Sequence, residues 1–191
     1  MLIGLNGFAG SGKDTVAAIA CREFGFRQYA FANKLKEMAV SDHDIVLSNG
    51  KLLSDVVREH GWEYAKWNPE TGPETRVHLQ DLGGRKREEH GESFWVDQVA
   101  KLIELDGVRD AVISDVRYPD EAAWVLDRGG MVVEVRRPGV EPVNDHATER
   151  RLPAHLVSVE LDNCGTTDDL IAPLALLTGR TALFELPAKV A

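Results

Sequence analysis

Leu2-Ile-Gly-Leu-Asn-Gly-Phe-Ala-Gly-Ser-Gly-Lys-Asp-Thr15 decides how the rest of the chain is read. A short apolar run, Leu2 to Asn6, predicts a strand. Gly7, Gly10 and Gly12 then let the backbone curl so that several N–H groups converge on one anion. Val16, Ile19, Ala20, Glu23 and Phe24 fall on one face at roughly 3.6-residue spacing, which predicts a helix. A helix opening straight after such a turn adds its positive N-terminal dipole, so the segment predicts a phosphate cradle built from Gly10, Ser11, Gly12, Lys13, Asp14 and Thr15. Lys13 would reach the outer phosphates of a nucleoside triphosphate. The G-x-x-x-x-G-K spacing fits, but Asp14 stands where Ser or Thr is usual, and the hydroxyl comes one place later, at Thr15. A tight strand-to-helix connection with no ligand is the plainer alternative.

The composition is that of a globular chain: 191 residues with 43% hydrophobic and 28% charged side chains, enough for one well-buried domain. A net charge of -9 argues against a general nucleic-acid surface, which needs clustered basic residues, yet leaves room for a local basic pocket. No run approaches about 18 apolar residues and no basic-then-apolar leader precedes the first strand, so the expectation is a cytoplasmic protein without membrane attachment. Cys21 and Cys164 form no C-x-x-C pair, and no zinc site is expected.

Strand-like segments recur at Leu2–Asn6, Arg27–Phe31, Ala111–Asp115, Met131–Arg136 and Leu156–Leu161. Helical patterns at Glu121–Arg128 and Thr166–Leu177 follow the third and fifth. This alternation predicts an α/β fold: a parallel five-stranded sheet with helices on both faces. The interval 32–106 carries four helical patterns (Lys34–Ala39, Leu52–Trp67, Glu74–Leu82, Ser93–Leu105), too many for a simple crossover, and reads as a helical lobe. Residues 137–153 hold Pro138, Pro142 and Pro153 with few apolar side chains, and read as a mobile loop.

Several residues outside the cradle can carry chemistry. Asp115 ends the third strand, where an acid can orient magnesium or accept a proton, or merely cap the next helix. Arg117 is either a phosphate ligand or a surface arginine paired with Asp120 or Glu121. Arg76, Arg85, Lys86 and Arg87 form a basic cluster beside the Gly83-Gly84 break, suited to a phosphate but also to neutralisation by Glu88, Glu89 and Glu92. Trp95 can stack on a base or lie in the core. Arg136, Arg137, Arg150 and Arg151 flank the loop and could deliver positive charge to a moving phosphoryl group. His146, in the same loop, reads as a surface residue.

Taken together these segments resemble the phage-type deoxynucleoside monophosphate kinases. The resemblance rests on Ser11-Gly-Lys-Asp-Thr15, a Leu-Gly turn followed by arginine, Gly91-Glu-Ser-Phe-Trp-Val96, Ile113-Ser-Asp-Val-Arg-Tyr-Pro-Asp-Glu121, Arg137-Pro-Gly139, and Asp145-His-Ala-Thr-Glu149 before Leu152-Pro153. It runs through most of the chain in order; 41–72 lies outside it. It implies a P-loop kinase-like fold over 1–191, with a helical acceptor-binding insertion at about 32–106 and a lid at about 137–153. The implied activity moves the γ-phosphate of ATP onto a deoxynucleoside 5′-monophosphate, with Mg²⁺ held through Thr15 or Asp14. Lys13, Asp115, Arg117 and Arg137 would serve the transfer. Lys36, Arg76, Gly83, Arg87, Trp95, Asp115, Arg117 and Glu121 would line the acceptor nucleotide. Leu82-Gly-Gly-Arg85 is shorter than the family's link, and Arg87 is preferred to Arg85 for the acceptor phosphate because it precedes Glu88-Glu-His-Gly91. The resemblance makes a homodimer reasonable and places a phage-encoded enzyme in the host cytoplasm. A dephospho-coenzyme A kinase, whose hydroxyl acceptor needs a general base, and a non-catalytic nucleotide-binding regulator are the alternatives.

Overall fold

The computed structural model describes residues 1–41, 45–142, 146 and 149–181. The chain divides into two compact units, one made of Met1–Ala30 with the chain from Val99 onward, the other of Phe31–Gln98.

The first unit is built on a five-stranded sheet. Its strands are β1 (Leu2–Asn6), β2 (Arg27–Tyr29), β3 (Ala111–Ile113), β4 (Met131–Arg136) and β5 (Val159–Asp162), in the spatial order β2-β3-β1-β4-β5. Every pairing is parallel, with Leu2 opposite Ala111 and Ile3 opposite Met131. Composition explains the order. The apolar strands β1, β3 and β4 are buried almost throughout, whereas Arg-Gln-Tyr of β2 and Val-Glu-Leu-Asp of β5 expose polar side chains at the two edges.

Helices cover both faces. Helix α1 (Lys13–Phe24) and the late helix α7 (Ile171–Thr178) share a core with Ile3, Leu5, Val112, Val133, Val135 and Leu161. Gly4 alternates with Ile3 and Leu5 and so faces the other side. A Cβ there would lie 2.8 Å from a Val116 methyl and 3.2 Å from one of Val125, so glycine admits helix α6 (Pro119–Asp127) close to the sheet. Because all five strands run the same way, their carboxyl ends share one rim, where ligands bind in sheets of this kind.

The second unit holds α2 (Phe31–Ser41), α3 (Leu53–Trp67) and α4 (Gly72–His90), with the first residues of α5 (Phe94–Asp106). Leu47, Leu53, Val56, Ala65 and Leu82 form its core, with Leu35, Met38 and Trp62 packed against them. Ser48 donates its backbone N–H and hydroxyl to Glu74, at 2.8 to 3.0 Å, tying the turn before α3 to α4.

Several boundaries differ from the sequence reading. The Gly83-Gly84 pair is no break: α4 runs through both and ends at Gly91, whose φ of 98° is left-handed. Each glycine costs roughly 1 kcal/mol of propensity in a helix; around this pair the indole N–H of Trp95 bonds the Gly83 carbonyl at 3.2 Å, and Lys86 pairs with Glu89 at 2.6 Å. Strand β3 stops at Ile113, leaving Ser114 and Asp115 in a turn, and Phe31 opens α2 instead of closing β2. Strand β5 begins at Val159 because Pro153 leads into a 3₁₀ turn, Ala154–Leu156. The expected lid falls partly outside the described residues: Asn144, Asp145, Ala147 and Thr148 of its acid-His motif are among those not described.

Candidate phosphate-binding site

The loop between β1 and α1 has the shape that its glycines permit. Gly7, Gly10 and Gly12 take φ of 137°, 82° and 98°, values that favour glycine. Gly12 is the cap residue of α1, and a Cβ there would run into the side-chain amide of Asn163. That amide donates to the Ser11 carbonyl at 2.9 Å, while the Asn163 backbone N–H bonds Arg136 at 2.7 Å. Asn163, just past β5, therefore ties the loop to the end of β4. The hydroxyl oxygen of Ser11 is buried and makes no hydrogen bond among the described residues.

Lys13 is buried, and its ammonium donates to the loop carbonyls of Gly7 at 2.7 Å and Phe8 at 2.8 Å. Burial, and next the charge of Arg117, lower its pKa to about 8, against smaller opposing effects of Asp14, Glu149 and Asp115. An ammonium in this state gains from an arriving anion.

Backbone ties fix the end of β3 beside this loop. Val116 N–H bonds the Leu5 carbonyl at 3.0 Å, and the Asn6 side chain donates to the Val116 carbonyl at 2.8 Å. This tie holds the Asp115–Arg117 turn at the mouth of the loop. Glu121 secures the same turn, accepting the backbone N–H groups of Arg117 at 2.7 Å and Tyr118 at 3.0 Å on one carboxylate oxygen. Burial pushes the Glu121 carboxyl up to about 8, partly offset by the Arg117 backbone bond. The Arg117 guanidinium pairs with the buried Glu149 at 2.9 Å.

The other arginines at this rim are differently disposed. Arg137 leaves β4 exposed. Arg136 pairs with Glu134 at 2.8 Å and with Glu160 at 2.5 Å. Arg151 pairs with the same buried Glu134 at 3.1 Å, its guanidinium 5.2 Å from the Phe8 ring. Arg136 and Arg151 thus bind the strand end and the loop to each other.

In the helical unit, Arg76 donates to the Lys66 carbonyl at 2.9 Å, closing the end of α3, and lies 5.2 Å from the Trp67 ring. Trp95 is buried. Arg87 and Lys36 are half-buried, and Arg85 is exposed.

Asp14 and Thr15 are exposed on the first turn of α1, and among the described residues no group of three or more His, Cys, Asp and Glu could hold a metal ion. This donor set fits Mg²⁺, which keeps most of its waters and takes one or two protein oxygens alongside substrate phosphates. No helix among the described residues is long and apolar enough to cross a membrane.

Sequence reasoning missed Asn163, Glu134 and the Arg117–Glu149 pair. Asn163 and Ser11, and Arg117 and Glu149, lie far apart in the chain, and only the Asp145–Glu149 motif marked one of them.

No family model matches the chain. Among solved structures, TT1252 from Thermus thermophilus superposes with a TM-score of 0.51 at 21% identity, covering 95% of this chain and 98% of its own. Dephospho-CoA kinase from Campylobacter jejuni gives 0.50 at 9% identity, with 93% and 95% covered. The chain has a P-loop kinase-like fold, an all-parallel five-stranded sheet between helices. A protein of Acanthamoeba polyphaga mimivirus, provisionally named a deoxynucleotide monophosphate kinase, is 29% identical over 162 residues, 80% of this chain and 82% of its own length.

Proposed function

We propose that this protein is an ATP-dependent kinase that phosphorylates deoxynucleoside 5′-monophosphates to diphosphates. The observation that carries the reading is the meeting of Lys13 and Arg117 at one glycine-rich loop: the turn before Arg117 is tied to Leu5 and Asn6 at the end of β1, and the charge of Arg117 depresses the Lys13 ammonium. A polyphosphate bound there would offset the repulsion between the two cations. The name of the mimivirus relative supports the acceptor class.

On this reading the chemistry is chiefly positioning. Donor and acceptor are both anions, and in-line approach requires positive charge around them. The loop amides and Lys13 hold the β- and γ-phosphates, and Arg117 and Arg137 offset charge on the transferring group. Mg²⁺ held through Asp14 or Thr15 would screen the phosphate oxygens. Lys36, Arg76, Gly83, Arg87, Trp95 and Glu121 serve the acceptor side. A phosphate monoester is already nucleophilic, so Asp115 organises the site and is not required as a strong base. The substrates are small nucleotides, and the cytoplasm is where they are met.

A coupled ADP-release assay over the four common deoxynucleoside monophosphates, their ribonucleotide counterparts and dephospho-coenzyme A tests the proposal. Acceptor-dependent turnover with at least one deoxynucleotide is expected. Turnover with dephospho-coenzyme A alone, or slow ATP hydrolysis that no acceptor stimulates, would refute it.

A further inference from the structure

Two buried glutamate side chains converge on Arg117 from separate parts of the chain. Glu121 takes its backbone N–H, and Glu149, 32 residues downstream, takes its side chain at Nη1. The arrangement at Glu149 is a poor device for stability. Its second carboxylate oxygen is buried with no hydrogen-bond partner among the described residues, while its arginine remains 32% exposed. A charge desolvated to that degree and bonded on one side gives back little folding energy. It also has no use as a direct phosphate ligand, since a carboxylate repels one. An acid placed here acts on phosphate only through a cation.

An arginine side chain has many rotamers, and its planar fork recognises a phosphoryl group only in a fixed orientation. Glu121 fixes where the Arg117 backbone turns, and Glu149 holds the guanidinium. Resting on the phosphoryl-transfer reading above, we infer that Glu149 is a positioning residue for the transfer, acting through Arg117: it holds the guanidinium in one orientation before the phosphates arrive. Such preorganisation lowers the barrier without tightening ground-state binding.

This role predicts an asymmetric kinetic signature in the full-length protein. In Glu149→Gln, kcat falls roughly 10- to 100-fold, the scale of a misplaced group near the reacting atoms. The KM values for ATP and the monophosphate stay within about threefold of wild type or decrease, since a charge that repels phosphate has gone. Glu149→Asp, which keeps the charge on a shorter reach, falls between the two and carries the same test if the glutamine variant does not fold. In an Arg117→Ala background, Glu149→Gln costs nothing further in kcat. A wild-type kcat in Glu149→Gln, a rise in KM with kcat intact, or an undiminished loss in the Arg117→Ala background would overturn the inference while leaving the kinase reading in place. A wild-type protein that transfers phosphate to no nucleotide would instead overturn that reading, and the inference with it.

Discussion

Glu121→Gln isolates what a buried carboxyl does to this fold. One oxygen of Glu121 accepts both the Arg117 and Tyr118 N–H groups, so the single amide oxygen of glutamine can keep both bonds. With these two bonds kept, the substitution removes the cost of burying a charge. Burial raises the Glu121 carboxyl from 4.5 to about 8, so the folded protein binds a proton that the unfolded chain has already released over that interval. The sign follows from that difference. The contribution of Glu121 to wild-type stability is fully present below about pH 4.5 and is lost as pH climbs toward 8, by up to about 1.4 kcal/mol per pH unit. The variant carries no such dependence at this site. Its stability relative to wild type should therefore improve steadily from pH 5 to pH 8, reaching about 3–5 kcal/mol at the upper end. Urea denaturation of both proteins at pH 5, 6, 7 and 8 measures it as a widening gap in midpoint. A gap that does not change with pH, or one that turns against the variant as pH rises, would show that the ionised carboxylate is well solvated by its amide donors and that burial is not the dominant effect.

Lys13→Ala should lower turnover by roughly 10²–10³, the scale for deleting one preorganised charge donor, and a wild-type rate would remove Lys13 from the phosphate site. Gly12→Ala sets a methyl against Asn163 and forces φ of 98° on alanine, at about 1–3 kcal/mol. Thermal melting of Gly12→Ala and of Gly12→Ala with Asn163→Ala should show partial recovery in the double variant, and no recovery would mean that the clash is unimportant. Arg76→Ala removes the bond to the Lys66 carbonyl and the Trp67 stack, so denaturation should find about 1–2 kcal/mol lost, and unchanged stability would leave Arg76 with no part in closing α3.

The fold was legible because it rests on local patterns. Apolar-rich runs marked β1 and β4 to the residue, and the glycine spacing marked the loop between β1 and α1. Pattern failed where packing overrides propensity. Gly83 and Gly84 look like a break and sit inside α4, where the indole of Trp95 bonds the helix backbone. Pro153 displaced the start of β5 by taking up a 3₁₀ turn whose cause lies in backbone geometry and not in hydrophobicity. The site was legible in its anchor, Lys13, and in the turn carrying Asp115 and Arg117. Its supports were not. Asn163 reaches back 152 positions to Ser11, and Glu149 bonds an arginine 32 positions earlier. No spacing rule links residues that meet only once the sheet has formed.

The loop that holds Lys13 grows from β1, the middle strand of the five, flanked on both sides by other strands and covered on both faces by helices. Its root has no free edge from which to fray. Amide protons of β1 should therefore exchange with solvent only when the whole sheet opens, and on heating, nucleotide binding should vanish together with the fold and not before it.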